Sequence, residues 1–295
     1  MWIKIIIIVF TLISTIYGET SFGGELKLSQ LWYVTGKEWE MSGDNYQLLD
    51  INMKNEDSRQ FNYKVRFQTR VWDHSDLSSS DDLNTMGNLI TYKIIPWEMW
   101  VQLNDIPFKR LSLKAGKQYF EWGTADGIHP TSVLNPDDYT DPFAMNEKIP
   151  VNAFNLNYYF SSFKLFLIWI PSFTPVRMPR FFPFISKEAY SIAGMELLKI
   201  EDELKQPSQL ADGMGKAVKL QFSLFNIDYS MGYFHGYDYM PAVRSLNYIP
   251  AGNMFSELDL KIKMFFPKMQ VYTFDWTTSI EGFGFFGEVG VYGFE

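Results

Sequence analysis

The chain has 295 residues, 46% of them hydrophobic and 18% aromatic, with a formal net charge of −8, a pI of about 5.0 and no cysteine. Without cysteine there is no disulfide framework, thiolate metal site or cysteine nucleophile; export into an oxidising compartment is compatible with this. The acidic balance argues against nucleic acid as a partner, because phosphate binding wants a basic surface.

Met1-Trp2-Ile3-Lys4 forms a short positive start, Ile5 through Ile16 an apolar run, and Tyr17-Gly18 a small-residue site before Glu19. This predicts a secretory signal peptide over 1–18 and a mature domain over 19–295. The apolar run is shorter than the roughly 20 residues a spanning helix needs. No later run is long enough either, so any membrane insertion must use strands.

Period-2 alternation recurs along the mature chain. Phe61, Tyr63, Val65, Phe67 and Val71 point one way, and Asn62, Lys64, Arg66, Gln68 and Arg70 the other. Val218, Leu220, Phe222 and Leu224 alternate with Lys219, Gln221 and Ser223, and Ile227, Tyr229, Met231 and Tyr233 with Asp228, Ser230 and Gly232. Leu258, Leu260, Ile262 and Met264 alternate with Glu257, Asp259, Lys261 and Lys263. Strands are predicted near 25–34, 46–54, 60–72, 91–103, 110–120, 151–160, 163–171, 216–225, 227–237, 255–265, 269–276 and 284–293. Most match the 9–11 residues of a tilted membrane strand better than the 5–6 of a soluble one.

The links alternate. Those after the even-numbered strands are short (55–59, 104–109, 161–162, 226, 266–268), and those after the odd-numbered ones include 73–90, 121–150 and 172–215. Short turns at one end and long loops at the other are the habit of outer-membrane barrels. Trp32-Tyr33, Trp72, Trp97, Tyr158-Tyr159-Phe160, Tyr233, Phe265-Phe266, Tyr272 and Trp276 lie near strand ends, where an interfacial girdle would stand. Pro96 cannot donate to a ladder, so a bulge or a late start is expected there. The segment 172–215 is proline-rich and apolar, and a short helix is expected around Ala189 to Leu204.

The most distinctive stretch runs from Gly116-Lys117-Gln118 through Trp122-Gly123 to Asn135-Pro136-Asp137-Asp138. It resembles a family of bacterial outer-membrane porin-like β-barrel proteins, closely over about 25 residues and elsewhere in general character. The resemblance implies fold and compartment, with no settled substrate; where relatives often read Asn-Pro, this chain has His129-Pro130. Trp122, Gly123, Asp126, Asn135, Pro136, Asp137 and Asp138 are candidates for a constriction loop, which either folds inward or braces the rim. Asp126, Asp137, Asp138 and Asp141 fit no cation-loop spacing, and no metal or cofactor is expected. His74, His129 and His235 are scattered, and no nucleophile–base pattern stands out, so no enzyme is expected.

The expectation is an all-β transmembrane antiparallel up-and-down β-barrel of about 12 strands. Because Phe294 is penultimate, this chain is further expected to be part of a larger barrel. Its polar face would carry Lys64, Arg66, Arg70, Lys114, Lys219, Lys261 and Lys263 with Glu98, Asp228, Glu257, Asp259 and Glu288. Such a lining suits a porin-like channel for small hydrophilic solutes, seated in outer-membrane lipid and open to homo-oligomerisation. A surface barrel acting through its long loops is the alternative, and a barrel enzyme a remote third.

Overall fold

A computed structural model describes residues 20–29, 32–35, 38–41, 46–72, 92–125, 129–139, 147–178, 196–207, 214–250 and 257–295. The expected signal peptide lies outside them. The strands are β1 (Ser21–Ser29), β2 (Trp32–Thr35), β3 (Glu38–Met41), β4 (Tyr46–Asn55), β5 (Phe61–Trp72), β6 (Tyr92–Asn104), β7 (Leu111–Gln118), β8 (Val151–Tyr159), β9 (Phe163–Ile170), β10 (Glu196–Lys205), β11 (Gly215–Leu224), β12 (Ile227–Tyr237), β13 (Ala242–Pro250), β14 (Glu257–Phe265), β15 (Lys268–Ile280) and β16 (Phe283–Phe294). No helix occurs among the described residues. The fold is all-β and built on an antiparallel up-and-down meander.

Two units are distinct. The first comprises Met1–Tyr119 with Asn152–Phe160, and the second Phe120–Val151 with Ser161–Glu295. In the first, the sheet runs β1-β4-β5-β6-β7-β8, with β2 and β3 paired as a separate hairpin. In the second it runs β9-β11-β12-β15-β16, and β10, β14 and β13 form a sheet of their own.

Both units invert the usual rule for a sheet in water, where apolar residues face the core and polar ones face solvent. In the first, Asp50 stands opposite Gln68, and Arg66 opposite Glu98, on one face. Asp50 and Glu98 are 2% and 3% exposed, while Ile51 and Val101 on the other face are 53% and 41% exposed. In the second, Ser230, Thr273 and Asp275 are buried on one face, and Met231, Tyr272, Val289 and Val291 are exposed on the other. The observation with information in it is this contiguous exposed apolar face, since single exposed apolar side chains are ordinary.

The link alternation holds as far as β12; beyond it the short link is the turn between β15 and β16. β4–β5, β6–β7, β8–β9, β11–β12 and β15–β16 follow each other closely, and the intervening links are long. Three expectations need correction. β14 leaves the wall: β12 pairs directly with β15, so the short 266–268 link joins strands of two different sheets. Glu257, Asp259, Lys261 and Lys263 therefore do not line the main sheet; they belong to the side sheet, where β14 runs parallel to β10 and antiparallel to β13. Alternation reports that a strand has two faces and is silent about which sheet it joins.

The second correction concerns 196–205, expected within a helix and observed as β10. Its Leu, Glu and Lys residues are good helix formers, and pairing with β14 outweighs that small propensity. The third concerns the girdle. Trp97 and Phe266 are each 4% exposed and so do not face outward, whereas Tyr159, Phe160 and Tyr272 are exposed. Pro96 does mark a register shift, between Arg66 and Phe67 of its partner strand.

The β11–β12 turn holds Phe225 and Asn226 at φ 54° and 62°, the left-handed pair a two-residue hairpin requires. Asparagine tolerates this and phenylalanine does not. Phe225 is also 87% exposed, so its ring contributes no packing in return. Phe225→Gly is expected to raise the urea midpoint by an amount worth about 1 kcal/mol. A lowered midpoint would show that the ring has contacts or that the turn has another geometry.

Candidate functional site

The charged face of the first unit is organised around two carboxylates. Asp50 accepts from Arg66 through Nε at 2.7 Å and Nη2 at 2.7 Å, and from Gln68 Nε2 at 3.2 Å. Glu98 accepts from Trp100 Nε1 at 2.7 Å through Oε1, and its Oε2 meets the Lys64 ammonium at 2.9 Å. Lys114 stands over the Trp100 ring, 3.8 Å from its centroid. A buried carboxylate is costly unless it has a cation and further donors, and each of these has both. Lys64, Arg66, Lys114 and Glu98 thus lie on one face of this unit's sheet. Arg70 holds the register position opposite Leu48 and Lys93.

The Gly116-Lys117-Gln118 motif locks β7 to its neighbours in the same unit. Gly116 has φ 126°, and a Cβ there would strike the Met99 carbonyl, so only glycine fits. Lys117 Nζ donates to Pro96 O at 3.0 Å, and the fully buried Gln118 donates to Ala153 O at 3.0 Å.

In the second unit the stretch after β7 lies as a strap on the polar face of β12, β15 and β16. Its anchor is Glu288. One carboxylate oxygen accepts from the backbone N–H groups of Thr124 and Ala125, the latter at 2.6 Å, and the other accepts from Thr131 Oγ1 at 2.7 Å. Gly123 has φ 110°, and a Cβ there would stand 2.5 Å from Glu288 and 2.6 Å from Thr131. Trp122 is buried against β12, in space that Gly232 leaves open; a Cβ at Gly232 would stand 3.1 Å from its ring. The Lys219 ammonium sits 5.4 Å from the Trp122 ring centroid and 3.5 Å from Asp275, whose carboxylate also accepts from Ser230 Oγ. Tyr292 Oη donates to Pro130 O at 2.5 Å. Over its described residues the strap thus rests against the polar face of these strands.

The Asn-Pro-Asp-Asp motif closes the strap. Asn135 accepts from Phe120 N at 2.7 Å and donates to Ile149 O at 2.9 Å, while Ile149 N donates to Pro136 O at 2.7 Å. Asp137 pairs with Lys148 at 2.5 Å and Asp138 with Arg177 at 2.8 Å. Tyr239 Oη donates to Leu134 O at 2.9 Å, and burial, with Asp238 beside it, pushes this phenol far up, so it stays a donor at any ordinary pH. Burial likewise raises the Tyr139 phenol, helped by the charge of Asp137.

Asp228 stands at the short-turn rim, exposed, and accepts from Ser223 Oγ. Asp126 lies outside the described residues. Asp50 and Asp275 went unpicked in the sequence although both sit on polar positions of alternating strands. No sequence signal marks the Asp138–Arg177 pair, whose partners are 39 residues apart.

No family model matches the chain, and no curated protein does. Among solved structures, it is similar to Salmonella typhi OmpF in complex with daunomycin, at 9% identity over 89% of this chain and 73% of that one, with a TM-score of 0.27. It is also similar to the trimer form of Vibrio cholerae OmpT, at 8% identity over 93% and 78%, with a TM-score of 0.27. A triple-mutant Rhodopseudomonas blastica porin gives 10% identity over 94% and 100%, with a TM-score of 0.24. Likeness at these scores carries no argument about function.

Glu288→Gln removes the charge from the hydrogen bonds that hold the strap, each worth about 1.5–3 kcal/mol as a charged bond. The variant is expected to fold yet be cut by protease within residues 120–139 at least ten times faster, roughly the rate equivalent of 1.4 kcal/mol. Unchanged protection would mean that the Asn135 and Tyr239 contacts suffice.

Proposed function

We propose that the protein is an outer-membrane β-barrel that forms a passive pore for small hydrophilic solutes. The observation that carries this reading is the inversion of the sheet: paired charges and hydrogen-bonded polar groups on the buried face, large apolar side chains on the exposed one. Lipid accepts the second face and an aqueous lumen uses the first. The alternation of short and long links supports the same reading, as does an inward strap on a long link, a device that narrows a lumen without closing it.

Refolded protein in planar bilayers is expected to show discrete conductance steps, and loosening the strap through Glu288→Gln should enlarge them. Absence of steps from well-folded protein would sink the pore. The membrane part has its own test. Val289→Arg sets a charge on the exposed apolar face and is expected to cost about 2–4 kcal/mol of stability in lipid if it sits near the bilayer midplane. A water-soluble sheet would tolerate that arginine or gain from it.

A second reading has its own support. The side sheet of β10, β14 and β13 grows from two long links and exposes Leu204, Val243 and Leu246. A surface-binding role would use it. Conductance retained after replacing β13 and β14 by a short link, with loss of binding to a cell-surface partner, would favour that role.

A further inference from the structure

We infer that the inner face presents positive rather than negative charge to a passing solute, so that the pore favours small anions of carboxylate or phosphate type. This rests on the pore reading above and narrows it to a solute class. Composition alone points the other way, since the chain carries a net charge of −8.

What decides is which member of the two ion pairs of the first unit is withdrawn into the wall. The Glu98 side chain is 4% exposed and its partner Lys64 24%; Asp50 is 3% exposed and its partner Arg66 27%. The asymmetry has a structural cause. Each carboxylate is short and is pinned to the sheet by a neutral donor as well, Trp100 for Glu98 and Gln68 for Asp50. Lysine and arginine have long stems that lie along the wall and lift the charged end off it. Lys114, on the same face, stands over the Trp100 ring.

The second unit also buries its acids, although there the cation is withdrawn with them: the Lys219 side chain is 4% exposed. Asp275 is 3% exposed beneath Ser230 and Lys219, and the Glu288 side chain is 2% exposed with both oxygens engaged by the strap. Glu25, opposite Asp50 on β1, and Asp228, at the short-turn rim, are exposed acids of this face. Neither belongs to the Lys64–Arg66 row.

A carboxylate buried beneath its cation and a neutral donor is shielded from a passing cation. A quarter-exposed guanidinium or ammonium still has N–H donors for an anion, and charge-assisted bonds to anions are the strong ones. Because each pair sums to zero, the effect is short-ranged and is screened by salt, with a Debye length of about 10 Å at 0.1 M and 3 Å at 1 M.

The test is the reversal potential of the full chain in planar bilayers under a potassium chloride gradient. The expected result is a several-fold preference for chloride over potassium in dilute salt, falling toward parity at molar salt. The double variant Lys64→Gln, Arg66→Gln should abolish the preference, and Arg66→Lys should keep it. If the double variant fails to fold because it strands two buried carboxylates, replacing one whole pair by Lys64→Met with Glu98→Gln is expected to halve the preference without an unpaired charge. Potassium preference in the unaltered protein, or chloride preference untouched in both variants, overturns the inference while leaving a pore. Absence of any channel overturns the pore reading itself, and the anion inference with it.

Discussion

Asp50 and Glu98 sit almost without solvent on one face of a sheet, and a carboxylate so placed is tolerable only with a cation and further donors around it. Much of the inner face of the first unit follows from that demand. Arg66 and Lys64 are fixed by it, Gln68 and Trp100 complete it, and Lys114 takes the ring that Trp100 presents. An apolar interior of the same volume would be as stable or more so. The presence of the charges on the buried face goes with the apolar side chains on the opposite one.

Glu288 solves the same problem by other means. Its partners are backbone N–H groups and a hydroxyl of the strap, with the His129 ring 3.8 Å away, so satisfying one acid positions a whole loop. The strap is over-determined elsewhere. Asn135 ties its two ends together, Tyr239 holds Leu134 and Tyr292 holds Pro130, while Gly123 and Gly232 leave the room that close approach needs.

Much of this was legible in advance. Alternation located Phe61–Trp72 and Gly215–Leu224 within a residue or so of their observed ends, and put Lys64, Arg66, Glu98 and Lys219 on the polar face. The loop motif drew attention to Trp122, Gly123 and Asn135, which do build the strap. Less was legible wherever a partner lay far away in the chain. Asp138 and Arg177 meet across a gap no spacing rule spans, and β14 joined β10 in parallel although its pattern would suit a wall strand equally well. Glu196–Lys205 was misjudged because its residues favour a helix when considered alone.

The sequence by itself determined where strands run, which face of each is polar, and where the long and short links fall, because these depend on side-chain period and turn chemistry within a dozen residues. Only the tertiary structure decided which strands share a sheet, that the strap lies on the polar face of β12, β15 and β16, and that Asp50 and Glu98 are more deeply buried than Arg66 and Lys64. Those outcomes depend on sums over residues distant in sequence. A free-energy difference of a few kcal/mol among alternative pairings is then enough to select one, and no local pattern encodes it.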